Sequence, residues 1–493
     1  MARFAPSFEL PLSIDRTAPG LPRQLAEQVR ALIHADRLRP GDRMPSTRAL
    51  AQELGVSRGS VSAAYEQLGE EGYLQSTPGG TVVHPRLAPA PAPASGREPI
   101  TTELTESARA WHRDVRRESP MGTTRVAPLR PGRPDVSVLT STAWRAAWRA
   151  AAAQPSLGYV GSGSMTLRRQ IAEHLRSVRA MAVDPEALVV TAGARDGLRL
   201  LITAASARHS GPLTVAVEDP GYPSLHQVPA SMGHRVLPLP VDDDGLRVDA
   251  LPTGTHAPAM VIVTPSHQYP LGSSMSAGRR RDLIRWAQHN NALVVEDDYD
   301  SELRYVGDPL PSLAASDTTG RVATLGSFAK LVTPGLGLGY VVVPTDVRQA
   351  VTSLTAQAGT PVSGIVQDAM STFMAQGGLR RHTARMRREY RRRRDVVLQV
   401  FEDASMPSSV TVLPMAGGLH AVLTLDDATQ EARVISAARA AGLGVQGLGD
   451  YWSRGTSAQP AMSGVVLGIG ETSRERLQQQ LEQLRAVLIA ALQ

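Results

Sequence analysis

Lysine occurs once in the 493 residues, at position 330, against 51 arginines. Arginine stays protonated and is a poor nucleophile, whereas a desolvated lysine can lose its proton and attack a carbonyl. A chain that uses arginine wherever a plain positive charge suffices has kept a single amine, which reads as a lysine able to form a Schiff base. Lys330 closes Arg321-Val322-Ala323-Thr324-Leu325-Gly326-Ser327-Phe328-Ala329-Lys330, an apolar β-like run that turns through Gly326 and Ser327. The other chemistry-bearing residues recur in the same setting, each just after a short apolar run. They are Ala192-Gly193-Ala194-Arg195, Glu218-Asp219-Pro220-Gly221-Tyr222, the stretch Thr264 to Gly272 with His267, and Glu296-Asp297-Asp298-Tyr299-Asp300-Ser301-Glu302.

A glycine turn opening a helix presents backbone N–H groups to a phosphate, which suits Ala194 and Arg195. The acidic stretch admits three readings. It could hold a divalent cation, it could be a solvated turn, or one carboxylate could face a pyridine nitrogen and keep it protonated while a tyrosine bonds the ring hydroxyl. With a Schiff-base lysine after the next strand, the set points to pyridoxal 5'-phosphate (PLP).

These groups need a frame. Candidate strands are Leu188–Thr191, Leu213–Val217, Met260–Val263, Leu293–Glu296, Val322–Leu325 and Tyr340–Val343, alternating with helical patterns from about residue 125 onward. Such alternation predicts a mostly parallel α/β sheet, whose ligands sit beyond the carboxyl ends of the strands. Apolar content of 42% and charged content of 20% are those of an ordinary globular chain. With no cysteine, disulfides and thiolate metal sites are excluded. The N-terminus lacks the apolar core of a signal peptide and no apolar run reaches membrane-spanning length, so a cytoplasmic protein is expected. The net charge of +6 suits a polyanionic partner.

The first eighty-five residues follow a different plan. Leu25, Val29, Leu32 and Ile33 recur at helical spacing over about 21–36. Ser46 can cap a second helix that ends at Gly55, and Ser57 a third with Val61, Ala64, Tyr65 and Leu68 on its inner face. Two short helices joined at Gly55 make a helix-turn-helix, used on DNA through its second helix or for protein contacts alone. Two short strands about a Thr77-Pro78-Gly79-Gly80 turn add a wing. Alternating Pro and Ala over 85–96 predict an extended, semi-rigid spacer, within a linker taken as 87–124.

The pattern Leu38, Gly41, Met44-Pro45-Ser46-Thr47-Arg48-Ala49-Leu50-Ala51, Leu54-Gly55-Val56-Ser57-Arg58 and Glu71-Gly72-Tyr73-Leu74 resembles the winged helix of GntR-type regulators. The resemblance implies DNA contacts from Arg48, Ser57, Arg58, Gly59 and Ser60, with Gly79 and Gly80 in the wing. Arg48 and Arg58 could bridge phosphates or pair with guanine edges. Residues 125–493 are similar to the aminotransferase-like domain of the MocR subfamily of those regulators, in the order that subfamily has. It implies a winged helix over 18–86 and a fold-type I, PLP-binding domain over 125–493. It further implies Lys330 as the amine that bonds the cofactor, Asp297 on the pyridine nitrogen, Tyr299 on the ring oxygen and Tyr222 stacked on the ring. Ser327 and the amides of Ala194 and Arg195 would hold the phosphate, with His267 lining the same pocket. A domain-swapped homodimer and a small-molecule effector, PLP or an amine that reacts with it, come with the subfamily.

Three departures stand out. Gly337 occupies a position where the subfamily usually has an arginine, Ala329 replaces a common serine, and Gly464-Val465-Val466-Leu467-Gly468 lacks the arginine that would bind an amino-acid carboxylate. They favour a regulator with a retired aminotransferase domain over an active aminotransferase carrying a DNA-binding appendage. One stretch is left over: Arg380-Arg381-His382, Arg385, Arg387, Arg388 and Arg391 to Arg394, either a solvated helix face or a second DNA-contacting surface. Arg58→Ala is expected to weaken DNA binding by about 1–3 kcal/mol if the side chain reads a base, and to flatten the salt dependence if it meets a phosphate. Titrations of the folded variant at several salt concentrations check this, and unchanged binding would remove 57–60 from the DNA surface.

Overall fold

The computed structural model describes residues 10–15, 20–85, 127–154, 158, 161–307, 310–359, 361–402, 406–453 and 462–493. The 87–124 linker lies outside them. The chain divides into two compact units, residues 1–103 and 104–493.

In the first unit, α1 spans Leu21–His34, α2 Thr47–Leu54 and α3 Arg58–Glu70. Each short helix begins at the serine expected. Ser46 Oγ accepts from Ala49 N at 3.1 Å and Ser57 Oγ from Ser60 N at 3.1 Å, satisfying N–H groups that a helix start leaves open. Gly55 ends α2 at φ +62°, the left-handed conformation glycine adopts without penalty. Leu25, Val29, Leu50, Val61, Ala64 and Leu68 close one core. The wing is a hairpin of β1 (Leu74–Thr77) and β2 (Gly80–Val83), paired Leu74 to Val83 and Thr77 to Gly80. Arg43 bridges to Val82 on the other side of β2, a third partner the sequence reading did not contain.

The second unit holds two sheets. The larger is built from β3 (Leu188–Thr191), β4 (Thr214–Asp219), β5 (Arg235–Asp242), β6 (Gly245–Leu246), β7 (Met260–Val263), β8 (Leu293–Asp298), β9 (Val322–Ser327) and β10 (Gly339–Val342). Their order is β3-β10-β9-β8-β7-β4-β5-β6. From β9 through β5 every neighbour is parallel. β10 is antiparallel to both β9 and β3, so β3 runs with the parallel set. The carboxyl ends of β3, β4, β7, β8 and β9 therefore share one edge. Strands such as Met260–Val263 are buried throughout, as expected where helices cover both faces. The helix Ala194–Ser206 lays Leu198, Leu201 and Ile202 on one face, and Leu283 and Ala287 of the helix Ala277–His289 pack in the cluster on the other.

The smaller sheet, of β11 (Thr411–Val412), β12 (His420–Leu425), β13 (Gln446–Gly447) and β14 (Ser463–Gly468), is antiparallel in the order β11-β12-β14-β13. Its core takes Leu477, Leu481, Leu484 and Leu488 from one face of the helix Arg474–Leu492. No described helix is long and apolar enough to cross a membrane.

Glycine permits the closest approach in the large sheet. A Cβ on Gly339 would lie 2.7 Å from Gly326 O and 2.8 Å from Gly193 Cα. Both are backbone atoms and cannot swing aside. Gly339→Ala is expected to cost about 1–3 kcal/mol through overpacking, read by chemical denaturation.

Candidate functional site

Five strand ends deliver their loops to one broad cleft in the second unit. Its lining includes Gly193, Ala194, Arg195, Tyr222, Asp297, Tyr299, Ser327 and Lys330. Seven of the eight residues singled out from the sequence for this site therefore face a common space.

Lys330 is held by its neighbours in the chain. Phe328, Leu331 and Val332 are buried in the core, and Phe328 N donates to Leu338 O at 3.1 Å. The half-buried amine points into the cleft and donates to Gly132 O at 2.8 Å. Ser327, the last residue of β9, accepts from Ala329 N at 3.1 Å. Across the cleft, Gly193 at φ +89° turns β3 into the helix Ala194–Ser206. Asp196 Oδ2 accepts from Ala192 N at 2.9 Å and fixes that turn. Ala194 and Arg195 at the start of this helix and Ser327 line the same cleft, and a helix start offers N–H groups that can receive an anion.

Asp297 sits on β8, buried, and its Oδ1 has no hydrogen-bond partner among the described residues. Burial pushes its carboxyl up to about 8, and the nearby carboxylates of Asp298, Asp300 and Glu218 push the same way, while the charge of Lys330 pulls down. Glu218, at the end of β4, is also fully buried, and burial pushes its carboxyl up to about 7 against hydrogen bonds from Thr264 and Gln268.

The acidic stretch is neither a solvated turn nor a common chelate. Glu296, Asp297, Asp298, Asp300 and Glu302 are all buried. Glu296 accepts from Ser312 Oγ at 2.6 Å and Leu313 N at 2.9 Å. Asp298 pairs with buried Arg179 at 2.8 Å, Asp300 with His267 at 2.9 Å and Glu302 with His174 at 3.0 Å. The carboxylates diverge to separate partners, and among the described residues no three His, Cys, Asp or Glu side chains are grouped to hold a metal ion.

His267 is the exception among the eight. It stands behind Tyr299 and outside the cleft lining, with Nδ1 2.9 Å from Tyr299 Oη and 2.9 Å from Asp300 Oδ2. Burial pushes the Tyr299 phenol well above its ordinary range, so Tyr299 stays a neutral O–H group. Tyr222 meets Tyr269 edge-on, with ring centres 5.5 Å apart. Two tyrosines escaped the sequence reading. Tyr269 contacts Tyr222, Tyr299 and Tyr451, and the Tyr269 and Tyr451 hydroxyls are 3.3 Å apart. Val466, within the stretch Gly464–Gly468 that lacks an arginine, packs into this aromatic cluster. Arg130 of the segment preceding Gly132 also lines the cleft.

These donors fit PLP. A buried carboxylate oxygen without a partner accepts a protonated ring nitrogen, a neutral phenol donates to a ring oxygen, and a helix start beside a hydroxyl receives a phosphate.

In the first unit Arg48, Ser57, Arg58 and Gly59 are exposed, as are Gly79 and Gly80 of the wing. Arg58 Nε lies 3.4 Å from Thr47 Oγ1, and the Ser57 and Ser60 hydroxyls are 2.9 Å apart. Ser57 thus serves first as a cap. Arg43, absent from the sequence reading, places its guanidinium beside the wing turn, 3.3 Å from where a Gly79 Cβ would lie.

The raised carboxyl of Asp297 gives a pH prediction. A folded-state value of about 8 against an ordinary 3.8 means the folded state binds more protons between those values. Its contribution therefore erodes stability as pH rises from about 4 to 8, then levels off. Asp297→Asn is expected to make the ligand-free protein more stable at pH 8, by more than about 1 kcal/mol, and to flatten the pH profile. Thermal unfolding across that range reads both.

Comparison with known proteins agrees with this division. Residues 21–83 match the gntR family of bacterial regulatory proteins, and residues 132–445 match aminotransferase class I and II. The chain is 41% identical over 475 residues to the HTH-type pyridoxine biosynthesis transcriptional regulator PdxR of Corynebacterium glutamicum, covering 95% of this chain and 96% of that one. It is 30% identical to the probable rhizopine catabolism regulatory protein MocR of Rhizobium meliloti, covering 97% and 96%. A kynurenine aminotransferase from Pyrococcus horikoshii shares the fold, with a TM-score of 0.65 at 22% identity over 78% of this chain and 94% of that one. A helix-turn-helix unit and a PLP-type cleft in one chain, matched end to end by regulators, make this protein a member of the MocR-type GntR family of PLP-dependent, DNA-binding transcriptional regulators.

Proposed function

We infer that this regulator senses PLP itself, or an amine that reacts with it, through Lys330, and that its aminotransferase-like unit is catalytically retired. The observation that carries the reading is the pairing of the chain's only lysine with a buried, unpartnered Asp297 oxygen in one cleft. Bound there, PLP supplies an aldehyde electrophilic enough to capture an amine and a ring that withdraws electrons when its nitrogen is protonated. Lys330 is the capturing amine. Asp297 holds the proton at the ring nitrogen, Tyr299 donates to the ring oxygen with His267 and Asp300 fixing its hydroxyl, and Tyr222 covers the ring. Ser327 and the amides of Ala194 and Arg195 hold the phosphate.

Retirement rests on the other end of the cleft. An aminotransferase must hold an amino-acid carboxylate in register with the reacting carbon, and orientation of that kind supplies much of an enzyme's rate. Here β14 presents Val466 to the tyrosines instead of a cation. The name of the C. glutamicum relative, a regulator of pyridoxine biosynthesis, favours PLP as the effector. The reading extends to a domain-swapped homodimer, with domains over 18–86 and 125–493 joined by the 87–124 linker.

Gly337 bears on affinity. It lines the cleft with open space around its Cα, yet its φ is +56°. An arginine there would add a charge-assisted phosphate contact of about 1.5–3 kcal/mol, while about 1–2 kcal/mol of left-handed strain would fall on fold stability. Gly337→Arg is therefore expected to tighten PLP by roughly ten- to a hundredfold and to lower the stability of the ligand-free protein. The decisive measurement is the visible spectrum. PLP should give an absorption band that Lys330→Ala abolishes, borohydride should fix one pyridoxyl group at Lys330, and turnover with amino and keto acids should stay at background. No band at saturating PLP sinks the sensing reading, and rapid turnover sinks the retirement.

A further inference from the structure

The helix Gly378–Phe401 carries nine arginines and two acids, Glu389 and Asp395. Its inner face is set by Leu379, His382, Met386, Tyr390, Val397 and Val400, all buried. Three of the arginines serve the fold from the flanks of that face. Buried Arg393 donates to Ile469 O and Gly470 O and pairs with Asp135 at 2.8 Å. Arg387 donates to Arg304 O at 3.0 Å, and Arg391 to Tyr305 O at 2.8 Å. Carbonyls, not carboxylates, take these last two, so their charge is left in place.

The outer face is different. Arg381, Arg385, Arg388 and Arg392 are exposed and follow one another at i, i+4, i+7 and i+11, the spacing of a single helical stripe. Arg381 touches Gln376 O at 2.9 Å and Arg385 touches Ser137 Oγ at 3.2 Å, both neutral acceptors. Among the described residues the one carboxylate paired with the stripe, Glu389, is shared among Arg393, Arg392 and Arg474 at 3.2, 3.9 and 3.5 Å. No large apolar side chain interrupts the stripe. A protein-binding face would offer aromatic or aliphatic anchors at its centre, and this one has none.

We propose that the stripe Arg381–Arg385–Arg388–Arg392 binds the phosphate backbone of duplex DNA, as a sequence-independent contact additional to the winged helix. Four guanidinium groups over about 16 Å of helix span roughly five base pairs of one strand. Contacts of this kind add affinity by releasing counterions and carry no base preference. The proposal rests on the DNA-binding role of the family and extends it to the second unit.

The test uses the full-length protein and a mixed-sequence duplex of about 60 base pairs, titrated between about 50 and 200 mM salt. The triple variant Arg381→Gln, Arg385→Gln, Arg388→Gln should bind about tenfold or more weakly, with the slope of log K against log salt shallower by about 3. The corresponding triple lysine variant should restore both, because a phosphate needs only the charge, whereas a structural role through Gln376 and Ser137 needs the guanidinium. An unaltered PLP absorption band shows that the glutamine variant is folded. An unchanged slope overturns the proposal, as does loss of binding that lysine fails to restore. Loss of the dimer on sedimentation in place of a changed slope overturns it too, assigning the stripe to contact between copies. If the wild-type chain fails to bind the duplex, the DNA-binding reading falls and the stripe with it. If wild type binds and the glutamine variant matches it, only the stripe falls.

Discussion

Five carboxylates within seven residues are buried at the end of β8, and the second unit is organised around neutralising them. An isolated buried carboxylate is unstable enough to protonate in preference to remaining charged, so each must find a partner from another element. Arg179 arrives from the helix Met165–Arg179 for Asp298 and His174 from the same helix for Glu302. Ser312 and the amide of Leu313 come from the loop after β8 for Glu296, and His267 from the loop after β7 for Asp300. Glu296, Asp298, Asp300 and Glu302 each have at least one such partner, although Asp298 Oδ1 has no hydrogen bond among the described residues. Asp297 Oδ1 has none either. Each acidic neighbour of Asp297 thus has a cation, a hydroxyl or an amide to oppose its charge, and removing any of these compensating groups would raise the electrostatic cost of keeping Asp297 charged.

Sheet direction does the rest of the positioning. The side chains at the ends of β4, β7, β8 and β9 sit on buried strands hydrogen-bonded on both sides, whereas β3 is an edge strand paired with β10 alone. The antiparallel insertion of β10 between β9 and β3 matters for this reason: it keeps the amine-bearing turn after β9 and the glycine turn after β3 on one edge although the strands are not neighbours. The close approach of Gly339 to Gly193 and Gly326 is the local signature of that insertion.

Much of this was legible in the sequence because the signals were local. Serine caps at 46 and 57, a left-handed glycine at 55, and apolar runs ending in Gly193, Asp297 or Ser327 each encode their own structure within a few residues. Six strands were placed within about two residues of their observed limits. What escaped was non-local. β5 reads Arg235-Val236-Leu237-Pro238-Leu239-Pro240, and its prolines argue against a strand, yet it pairs with β4 near the sheet's edge where missing N–H groups are tolerated. Two of the four strands of the smaller sheet are only two residues long, too short for any periodicity. Tyr269 and Tyr451 lie far apart in sequence and meet only through the packing of the small sheet on the cleft. His267, placed in the pocket by resemblance, proved to sit one layer behind it, since a sequence motif gives a strand end but not the direction of a side chain leaving it.

The bond between Lys330 and Gly132 has a chemical consequence. An amine joined only to its own side chain offers three N–H donors when charged, and one of them holds the Gly132 carbonyl. A nitrogen double-bonded to a second carbon would keep at most one N–H. Capture of a carbonyl by Lys330 and its hold on the Gly132 carbonyl would then compete for one atom. The bond is one of several on the stretch around Gly132, beside Gly468 N to Leu129 O at 2.8 Å, Asp135 N to Tyr390 Oη at 2.9 Å and the Arg393–Asp135 pair at 2.8 Å, so its loss would free the Gly132 carbonyl at a cost of about 1 kcal/mol and leave the segment docked.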